Sequence, residues 1–478
     1  EVPEIKNFFV CCGLNSVGIG TGGGVGKITA EWLMTGHINE DIFSYDIKRF
    51  QKFHSELGFI KKRITESLGD LYGMHWPFKQ HKTSRNIKTL PHHDNLKSFG
   101  ACFGVSGGYE RPMWFALDGE RTEYEYSYNY QNWYPSAEYE TNNTIKNVGL
   151  FDLTPFSKFE IKSNKAHEEL QKICTANVKN EPGKCVYTQM LNSDGGIETD
   201  LTVVCIEKDY FRIISSATTR ERDKFHIRKH LSKDIEISDV TDELCVFGVF
   251  GPKSRELLQS ISKSSYDNDN FKFGTAKYVI LNGVKIWAQR LSYVGELGYE
   301  LYVDIKDAKR IYELLIEKGR DFNLSNCGMH AMDIMRMESG FLHWGHDISP
   351  EENQYQAGLS FTISYKKDVD FIGKQALEKI RKNKIESRFA MFVLQDSKPG
   401  EPLLLHDEPI YIENRIIGRS TSGNYSFNFK KNLVFGYIKN DLSLKELQTK
   451  RLFIEIEKNK YPLKVQVEPL KRTNYKNI

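Results

Sequence analysis

The sequence predicts an α+β protein, and three observations support this fold class. Two segments with alternating apolar residues each enclose a turn-forming pair, Asn282-Gly283 and Glu413-Asn414, which is the pattern of a β-hairpin. Helical periodicity is found in residues 307–318 and 327–340. Strands and helices do not alternate in the regular series that builds a parallel sheet.

Size and charge narrow the class of protein. The chain has 478 residues and a mass of 55.3 kDa, enough for about three domains with separate cores. Lys and Arg number 66 against 63 Asp and Glu, so the net charge of +3 does not favour a nucleic-acid partner. The sequence contains no apolar run of about 18 residues and no signal-peptide pattern, so we expect a soluble protein without a membrane partner. Eight cysteines without a CxxC pair predict buried, reduced thiols and no metal site.

The N-terminal segment contains a glycine-rich stretch. Residues 8–12 read as an apolar strand, residues 13–26 as a loop with seven glycines, and residues 30–34 as part of a helix. Backbone N–H groups of such a loop can face an anionic or electron-rich ligand. Glycine is also used where a tight turn must pack closely, so the pattern leaves both interpretations open.

The remaining elements are assigned from periodicity and turn residues. Residues 43–71 predict an amphipathic helix or a helix pair broken near Gly58, and residues 75–148 predict irregular structure, with a boundary near Gly149. Gly319 is the predicted C-cap of the helix that ends at residue 318. Residues 387–470 predict a small barrel or sandwich.

Two carboxylates stand in otherwise apolar strands. Asp200 follows the Gly195-Gly196 turn and is expected at the exit of that turn, and Glu300 lies in the strand 299–303. From these patterns alone, a turn-capping Asp and a solvent-facing Glu are the favoured interpretations, and a ligand-facing role is the alternative. The histidine pairs at 92–93 and 343/346 lack metal-site spacing and predict structural histidines.

Seven motifs, in order along the whole chain, together resemble one family. They are GLNSVGIG (13–20), YERPMWF (109–115), LFDLTPFSKF (150–159), Gly195-Gly196 with Asp200, YVGELGYEL (293–301), FIGKQAL (371–377) and TSG (421–423). The chain is identified by them as a member of the dimethylglycine and sarcosine dehydrogenase family. In that family an FAD domain of the D-amino-acid-oxidase type precedes a three-lobed, folate-binding region similar to aminomethyltransferase (T-protein), whose last lobe resembles a β-barrel.

The resemblance implies a domain organisation and a location. Residues 1–40 correspond to the end of the FAD domain, 41–140 to a connecting region, 141–385 to the aminomethyltransferase-like domain and 386–478 to its C-terminal β-rich lobe. The resemblance implies that most of the FAD domain lies outside this chain, so the FAD site is expected to be incomplete and the missing portion is the expected protein partner. The expected compartment is the cytoplasm in a bacterium and the mitochondrial matrix in a eukaryote.

The resemblance also implies an activity and its residues. The expected reaction is FAD-dependent oxidative demethylation of an N-methylglycine-type amine, with transfer of the one-carbon unit to tetrahydrofolate. The alternative is a regulatory protein of the same architecture, like the pyruvate dehydrogenase phosphatase regulatory subunit. Asp200 is the implied catalytic residue, and the implied cofactor-binding residues are Glu300 and Tyr187 for folate and Gly13, Asn15, Gly18 and Gly20 for FAD.

The chain departs from the family pattern at two positions. Met332 stands where the T-protein has an Arg that binds the pterin, and a Met cannot donate that hydrogen bond. The family usually shows Pro-Leu-Glu-Ala-Gly-Leu where residues 354–359 read Gln-Tyr-Gln-Ala-Gly-Leu, so Gln356 replaces a carboxylate.

Overall fold

The computed structural model describes residues 1–471 and 475–477. Its helices are α1 (Gly18–Thr35), α2 (Leu57–Tyr72), α3 (His93–Ser98), α4 (Tyr134–Lys146), α5 (Ala166–Ile173), α6 (Arg220–His230), α7 (Ser254–Ser260), α8 (Ile305–Gly319), α9 (Met329–Glu338), α10 (Lys374–Lys382) and α11 (Leu444–Leu447). Its strands are β1 (Ala101–Ser106), β2 (Tyr109–Phe115), β3 (Val148–Asp152), β4 (Ser157–Lys162), β5 (Cys185–Leu191), β6 (Ile197–Glu207), β7 (Tyr210–Ser215), β8 (Ser238–Asp239), β9 (Leu244–Phe250), β10 (Ala276–Leu281), β11 (Val284–Gln289), β12 (Gly298–Asp304), β13 (Leu324–Cys327), β14 (Ser387–Leu394), β15 (Pro409–Ile412), β16 (Arg415–Ser426), β17 (Lys431–Lys439), β18 (Leu452–Ile456) and β19 (Asn459–Gln466).

The N-terminal segment differs from the sequence prediction in two ways. Residues 8–12 form no strand, and the predicted glycine loop is mostly helix, because α1 begins at Gly18. Val25, Ile28 and Trp32 recur at helical spacing and are half-buried, and the Trp32 ring packs edge-on against Phe9 at 5.4 Å. This apolar stripe outweighs the low helix propensity of glycine.

The prediction for residues 43–71 is confirmed only in its second half. Short 3₁₀ turns occupy residues 43–55, and the continuous helix α2 starts just before Gly58. The prediction of irregular structure over residues 75–148 is wrong, since that range contains α3, the β1–β2 hairpin and α4. A β-bulge between Cys102 and Phe103 and the proline in β2 disturb the alternation that marks a strand in sequence.

Two sheets pack face to face in the centre of the chain. One has six strands in the order β10-β11-β12-β9-β3-β13, and the other has five in the order β5-β6-β7-β4-β8. Val204 of the smaller sheet and Phe250 of the larger belong to the same buried apolar cluster between them. Helices α5 and α6 cover the outer face of the smaller sheet, and α7 and α8 cover that of the larger. The result is a four-layer α+β arrangement.

Burial patterns explain the central elements. Strand β9 is apolar along its length and almost entirely buried, as expected for a strand covered on both faces. Helix α8 buries Ala308, Ile311, Tyr312 and Leu315, which lie on one face. The predicted cap at Gly319 is wrong: Gly319 stays helical, and the left-handed conformation that ends the following 3₁₀ turn belongs to Asn323.

Both predicted hairpins are confirmed. Leu281 pairs with Val284 across Asn282 and Gly283, whose φ angles of 44° and 82° are those of a type I′ turn. Ile412 pairs with Arg415 across the second turn. That hairpin belongs to the closed six-stranded barrel β14-β17-β16-β15-β18-β19, which confirms the predicted barrel in residues 387–470. Among the described residues no helix has both the length and the apolar character to cross a membrane.

Candidate folate site between the two sheets

Asp200 lies inside strand β6, three residues after its start, and not at the exit of the turn as predicted. Its backbone neighbour across the sheet is Gln189 of β5, whose side-chain Nε2 donates to Asp200 Oδ1 at 2.7 Å. Burial raises the pKa of Asp200 to about 6, although the bond from Gln189 acts in the opposite direction. Asp200 therefore lies within the sheet with its carboxyl group bonded to Gln189, and it does not cap the turn.

Tyr187 lies next to Asp200 and interacts with its carboxyl group. Its side chain is 38% exposed, yet burial and the negative charge of Asp200 raise the phenol pKa well above its usual value. The structure therefore places the predicted residues Tyr187 and Asp200 together.

Glu300 lies on β12 and is half-buried, so the solvent-facing interpretation is wrong. Burial raises its pKa to about 7, and Tyr302 donates a hydrogen bond to Glu300 Oε2 at 2.9 Å. Gln289 is directly opposite on β11 and fully buried, and neither of its amide atoms finds a hydrogen-bond partner within the described part of the chain. A carboxylate beside an unsatisfied amide fits a ligand that has both donors and acceptors, as a pterin does.

One face of β5 connects the two carboxylates. Cys185, Tyr187 and Gln189 alternate along the strand and so point to the same side of the sheet. At one end the charge of Glu300 contributes to the raised pKa of the Cys185 thiol, and at the other end Gln189 binds Asp200. Asp200 and Glu300 thus face a common space between the sheets.

A second polar cluster, which the sequence did not predict, lies beside this space. Arg336 is almost fully buried and contacts Asp333 Oδ1 at 2.8 Å and Asp347 Oδ2 at 2.5 Å. These bonds hold the pKa of Asp333 at about 2, so this carboxylate, whose side chain is 45% exposed, stays ionised. The sequence signal that could have predicted this cluster is the pair Asp333 and Arg336, which are spaced i, i+3 in helix α9.

The predicted FAD residues lie in a different part of the molecule. Gly13 and Asn15 are exposed and precede α1, and Gly18 and Gly20 are in its first turn. The N-cap residue Val17 provides no side-chain hydrogen bond to this helix end. The first turn thus leaves backbone N–H groups without a side-chain cap, and the role of Gly13, Asn15, Gly18 and Gly20 in FAD binding stays a prediction.

The two departures from the family pattern have structural roles. Met332 is buried in the apolar cluster between the sheets. Gln356 accepts from the Asn353 amide and donates to Ser387 Oγ at 2.8 Å, so it joins the loop before α10 to the barrel.

His92 is fully buried and its Nε2 lies 3.0 Å from Asp152 Oδ2, as expected for a structural histidine. All eight cysteines are free, but Cys11 and Cys12 are exposed, contrary to the prediction.

The segment after α1 is attached close to the Asp200 strand. His37 Nε2 and Asn39 Nδ2 both contact Asp194 Oδ2 at 3.1 Å, in the turn between β5 and β6. Lys229 of α6 donates to the carbonyl oxygen of Gly36 at 2.6 Å. The N-terminal segment is therefore joined to the turn that leads into Asp200.

Three family models match the chain. They are the FAD dependent oxidoreductase central domain over residues 35–89, the GCVT N-terminal domain over 92–367 and the glycine cleavage T-protein C-terminal barrel domain over 388–471. The crystal structure of glycine cleavage system aminomethyltransferase T from Bartonella henselae superposes with a TM-score of 0.68 at 21% identity, covering 81% of this chain and 98% of that one. This likeness confirms the predicted fold.

Curated relatives extend over nearly the whole chain. The 4-methylaminobutanoate oxidase (formaldehyde-forming) of Paenarthrobacter nicotinovorans is 37% identical over 98% of this chain, and the mitochondrial dimethylglycine dehydrogenase of Rattus norvegicus is 30% identical over 98%. The chain spans only 56% and 54% of the lengths of these relatives. With its oxidoreductase central domain followed by the two T-protein domains, the chain belongs to the dimethylglycine and sarcosine dehydrogenase family.

Proposed function

We propose that this chain supplies the folate-binding part of an FAD-dependent amine dehydrogenase, which oxidises an N-methyl amine and transfers the one-carbon unit to tetrahydrofolate. The observation that supports the proposal is that Asp200 and Glu300 lie on the facing sides of the two sheets and are connected by one face of β5. The opposed sheets supply an acceptor for the pterin at one end of β5 and a titrating carboxyl group at the other.

Glu300 is proposed to bind the pterin. A pterin presents an amide-type N–H beside an exocyclic amino group, and an ionised carboxylate accepts both in a bidentate pair. With a pKa of about 7, Glu300 is partly protonated at neutral pH, and two ligand donors would favour its ionised form. Tyr302 holds the carboxylate in place from its own strand.

Asp200 is proposed to take up the proton that a folate nitrogen loses when it bonds to the one-carbon unit. Its pKa of about 6 leaves most of the carboxyl ionised at pH 7, so it can accept a proton there. The two sheets on either side of Asp200 are proposed to limit the access of water, which otherwise converts an iminium to formaldehyde and amine. Tyr187 is proposed to line the folate site next to it.

The flavin half of the proposal depends on the N-terminal residues. FAD would supply the acceptor for a hydride from the N-methyl carbon. Gly13, Asn15, Gly18 and Gly20 are proposed to bound one edge of its site through backbone N–H groups. This region also exposes an unusual amount of apolar surface, including Phe8, Ile19, Leu33, Met34, Ile47, Phe50, Leu57, Ile64, Leu68 and Tyr72.

We propose that a flavin-binding domain packs against this apolar surface. The surface is formed by residues 1–74 and continues along one side of α2, where Leu57, Ile64 and Leu68 are 49–71% exposed. The segment 35–89 matches a central domain of FAD dependent oxidoreductases.

The proposed substrate is a small N-methylated amino acid, and the proposed compartment is the cytoplasm of a bacterium or the mitochondrial matrix of a eukaryote.

The test separates amine oxidation from one-carbon transfer in an assembly of this chain with a flavin-binding domain. Asp200→Asn should leave flavin reduction by the amine unchanged in stopped-flow absorbance, while product shifts from methylene-tetrahydrofolate toward free formaldehyde. Asp118→Asn, at an exposed position, is the control and should change neither quantity.

Two results would contradict the proposal. Loss of flavin reduction in folded Asp200→Asn would place this residue at the oxidation site. If the wild-type assembly forms no folate adduct and reduces no flavin with a panel of N-methyl amines, the non-catalytic regulatory alternative is favoured.

A further inference from the structure

We propose that Gln189 is a positioning residue that fixes the Asp200 carboxylate in the cavity, through a donated hydrogen bond whose direction is determined by Gln354 and Thr362. The inference deepens the proposed function and rests on it, because it concerns how the one-carbon transfer site is prepared. The evidence is a chain of buried hydrogen bonds that ends at Asp200.

The first step is the contact between Gln189 and Asp200. The two residues are directly opposite on β5 and β6, so their side chains leave the same face of the sheet. Gln189 is fully buried, and its Nε2 lies 2.7 Å from Asp200 Oδ1. A hydrogen bond to a carboxylate in such surroundings is stronger than one in water, and it fixes which oxygen remains for a ligand.

The second step is the orientation of the Gln189 amide. Its Oε1 accepts from Gln354 Nε2 at 2.8 Å and from Thr362 Oγ1 at 2.6 Å. The Gln354 amide donates to the carbonyl side of Gln189, and the Thr362 hydroxyl shares its single proton between Gln189 Oε1 and the carbonyl oxygen of Leu359. The NH₂ side of the Gln189 amide is thereby directed at Asp200. Rotation of the amide would break both bonds and turn an acceptor toward a carboxylate.

The third step is the cost of the arrangement. Gln354 is fully buried, and its Oε1 has no hydrogen-bond partner within the described part of the chain. An apolar residue at position 354 would avoid this unsatisfied carbonyl. The Nε2 of Gln354 also lies 2.9 Å from Thr175 Oγ1 and 2.7 Å from Thr362 Oγ1, so the amide holds Gln189 within a buried polar network at the cost of one unsatisfied carbonyl oxygen.

The other titratable groups near Asp200 come from three elements. They are Tyr187 on β5, Tyr293 in the loop before β12, and Asp223 on α6. Asp223 raises the pKa of Asp200 through its negative charge, whereas Tyr187 and Gln189 stabilise the carboxylate by hydrogen bonding. Removing the Gln189 donor should therefore raise the pKa of Asp200, because only the ionised form loses a favourable contact.

The experiment measures protonation of Asp200 without folate, flavin or amine, so its outcome is independent of the proposed function. Protein labelled with ¹³C-aspartate is titrated by infrared spectroscopy, and each spectrum is compared with that of the same protein carrying Asp200→Asn. Gln189→Leu should raise the midpoint by roughly 1–2 pH units, as expected for one lost charge-assisted hydrogen bond. Gln354→Leu should raise it by less, because the Gln189 amide remains but can rotate.

A double variant tests whether the residues act through one chain. Adding Gln354→Leu to Gln189→Leu should cause no further rise in the Asp200 midpoint, since Gln354 is proposed to act on Asp200 only through Gln189. The matched control is Gln131→Leu, which removes an equally buried amide that donates to the carbonyl oxygens of Ser127 and Asn129. Its Asp200 midpoint should equal that of the wild type.

The proposal is overturned if folded Gln189→Leu has the wild-type midpoint, or if the Gln354→Leu rise is the same with and without Gln189. Should Gln189→Leu fail to fold, the nearly isosteric Thr362→Val decides. It should raise the midpoint, and an unchanged midpoint would also overturn the proposal.

Discussion

Glu300→Gln is expected to stabilise the folded chain at alkaline pH. Burial raises the pKa of Glu300 from 4.5 to about 7, so folding disfavours the charged form. For a carboxyl with a raised pKa, the wild type loses stability as pH rises from about 4.5 to about 7, and the loss is complete above pH 7. That interval corresponds to at most about 3 kcal/mol of unfolding free energy, at 1.36 kcal/mol per pH unit.

A neutral glutamine removes this loss at little steric cost. Its carbonyl can still accept from Tyr302, and its NH₂ group faces the cavity. Part of the gain is offset because the amide must also leave water, so we expect an increase of about 1–3 kcal/mol at pH 8 and almost none at pH 4.5. Urea unfolding followed by tryptophan fluorescence at both pH values measures the difference.

The matched control is Glu236→Gln, at an exposed position, which should change stability little at either pH. The reasoning is refuted if Glu300→Gln lowers stability at pH 8, or if its effect is the same at pH 4.5 and pH 8. Either result would show that burial does not penalise the Glu300 carboxylate.

Three further tests of the fold use urea unfolding, and the last of them compares two glycine substitutions. Arg336→Met leaves the buried Asp347 carboxylate without its cation and should cost about 3–5 kcal/mol, whereas a loss below 1 kcal/mol would contradict the buried pair. Lys158 is fully buried and its pKa is lowered to about 7, so wild-type stability should rise between pH 7 and 10, and this rise should be absent in Lys158→Met. Gly196→Ala should destabilise strongly because its Cβ would clash with the backbone carbonyl oxygen of Pro350. Gly22→Ala, with open space around it on α1, should gain about 0.5–1 kcal/mol, and equal effects of the two substitutions would refute this contrast.

The elements that were predicted correctly carry local signals. The Asn282-Gly283 turn, the apolar face of α8 and the alternating strands of the barrel are all readable within about ten residues. The helix predicted at residues 30–34 is confirmed as the end of α1, but the glycine-rich first part of α1 was missed. Propensity alone treats glycines as helix breakers, whereas the half-buried stripe depends on packing against Phe9. The β1–β2 hairpin was missed because its bulge and proline interrupt the alternation.

Some residues of the candidate site could be predicted from the sequence, and others depend on the tertiary structure. Asp200 and Glu300 were singled out as carboxylates in apolar strands, but only the resemblance favoured a ligand-facing role, because a strand pattern does not show what covers its face. Gln189 and Gln354 are 165 positions apart, and no local pattern joins them. Their pairing depends on how the loop before α10 packs against the smaller sheet, which is a property of the tertiary structure.

The most direct test of folate binding between the two sheets is calorimetric titration of this chain with tetrahydrofolate at pH 8 and pH 6. One site is expected, with lower affinity at pH 6 because Glu300 is then largely protonated and loses acceptor capacity. Glu300→Gln should bind about ten-fold or more weakly at pH 8, and its affinity should change much less with pH. Absence of binding, or equal affinity and pH dependence in wild type and Glu300→Gln, would contradict the assignment of the folate site.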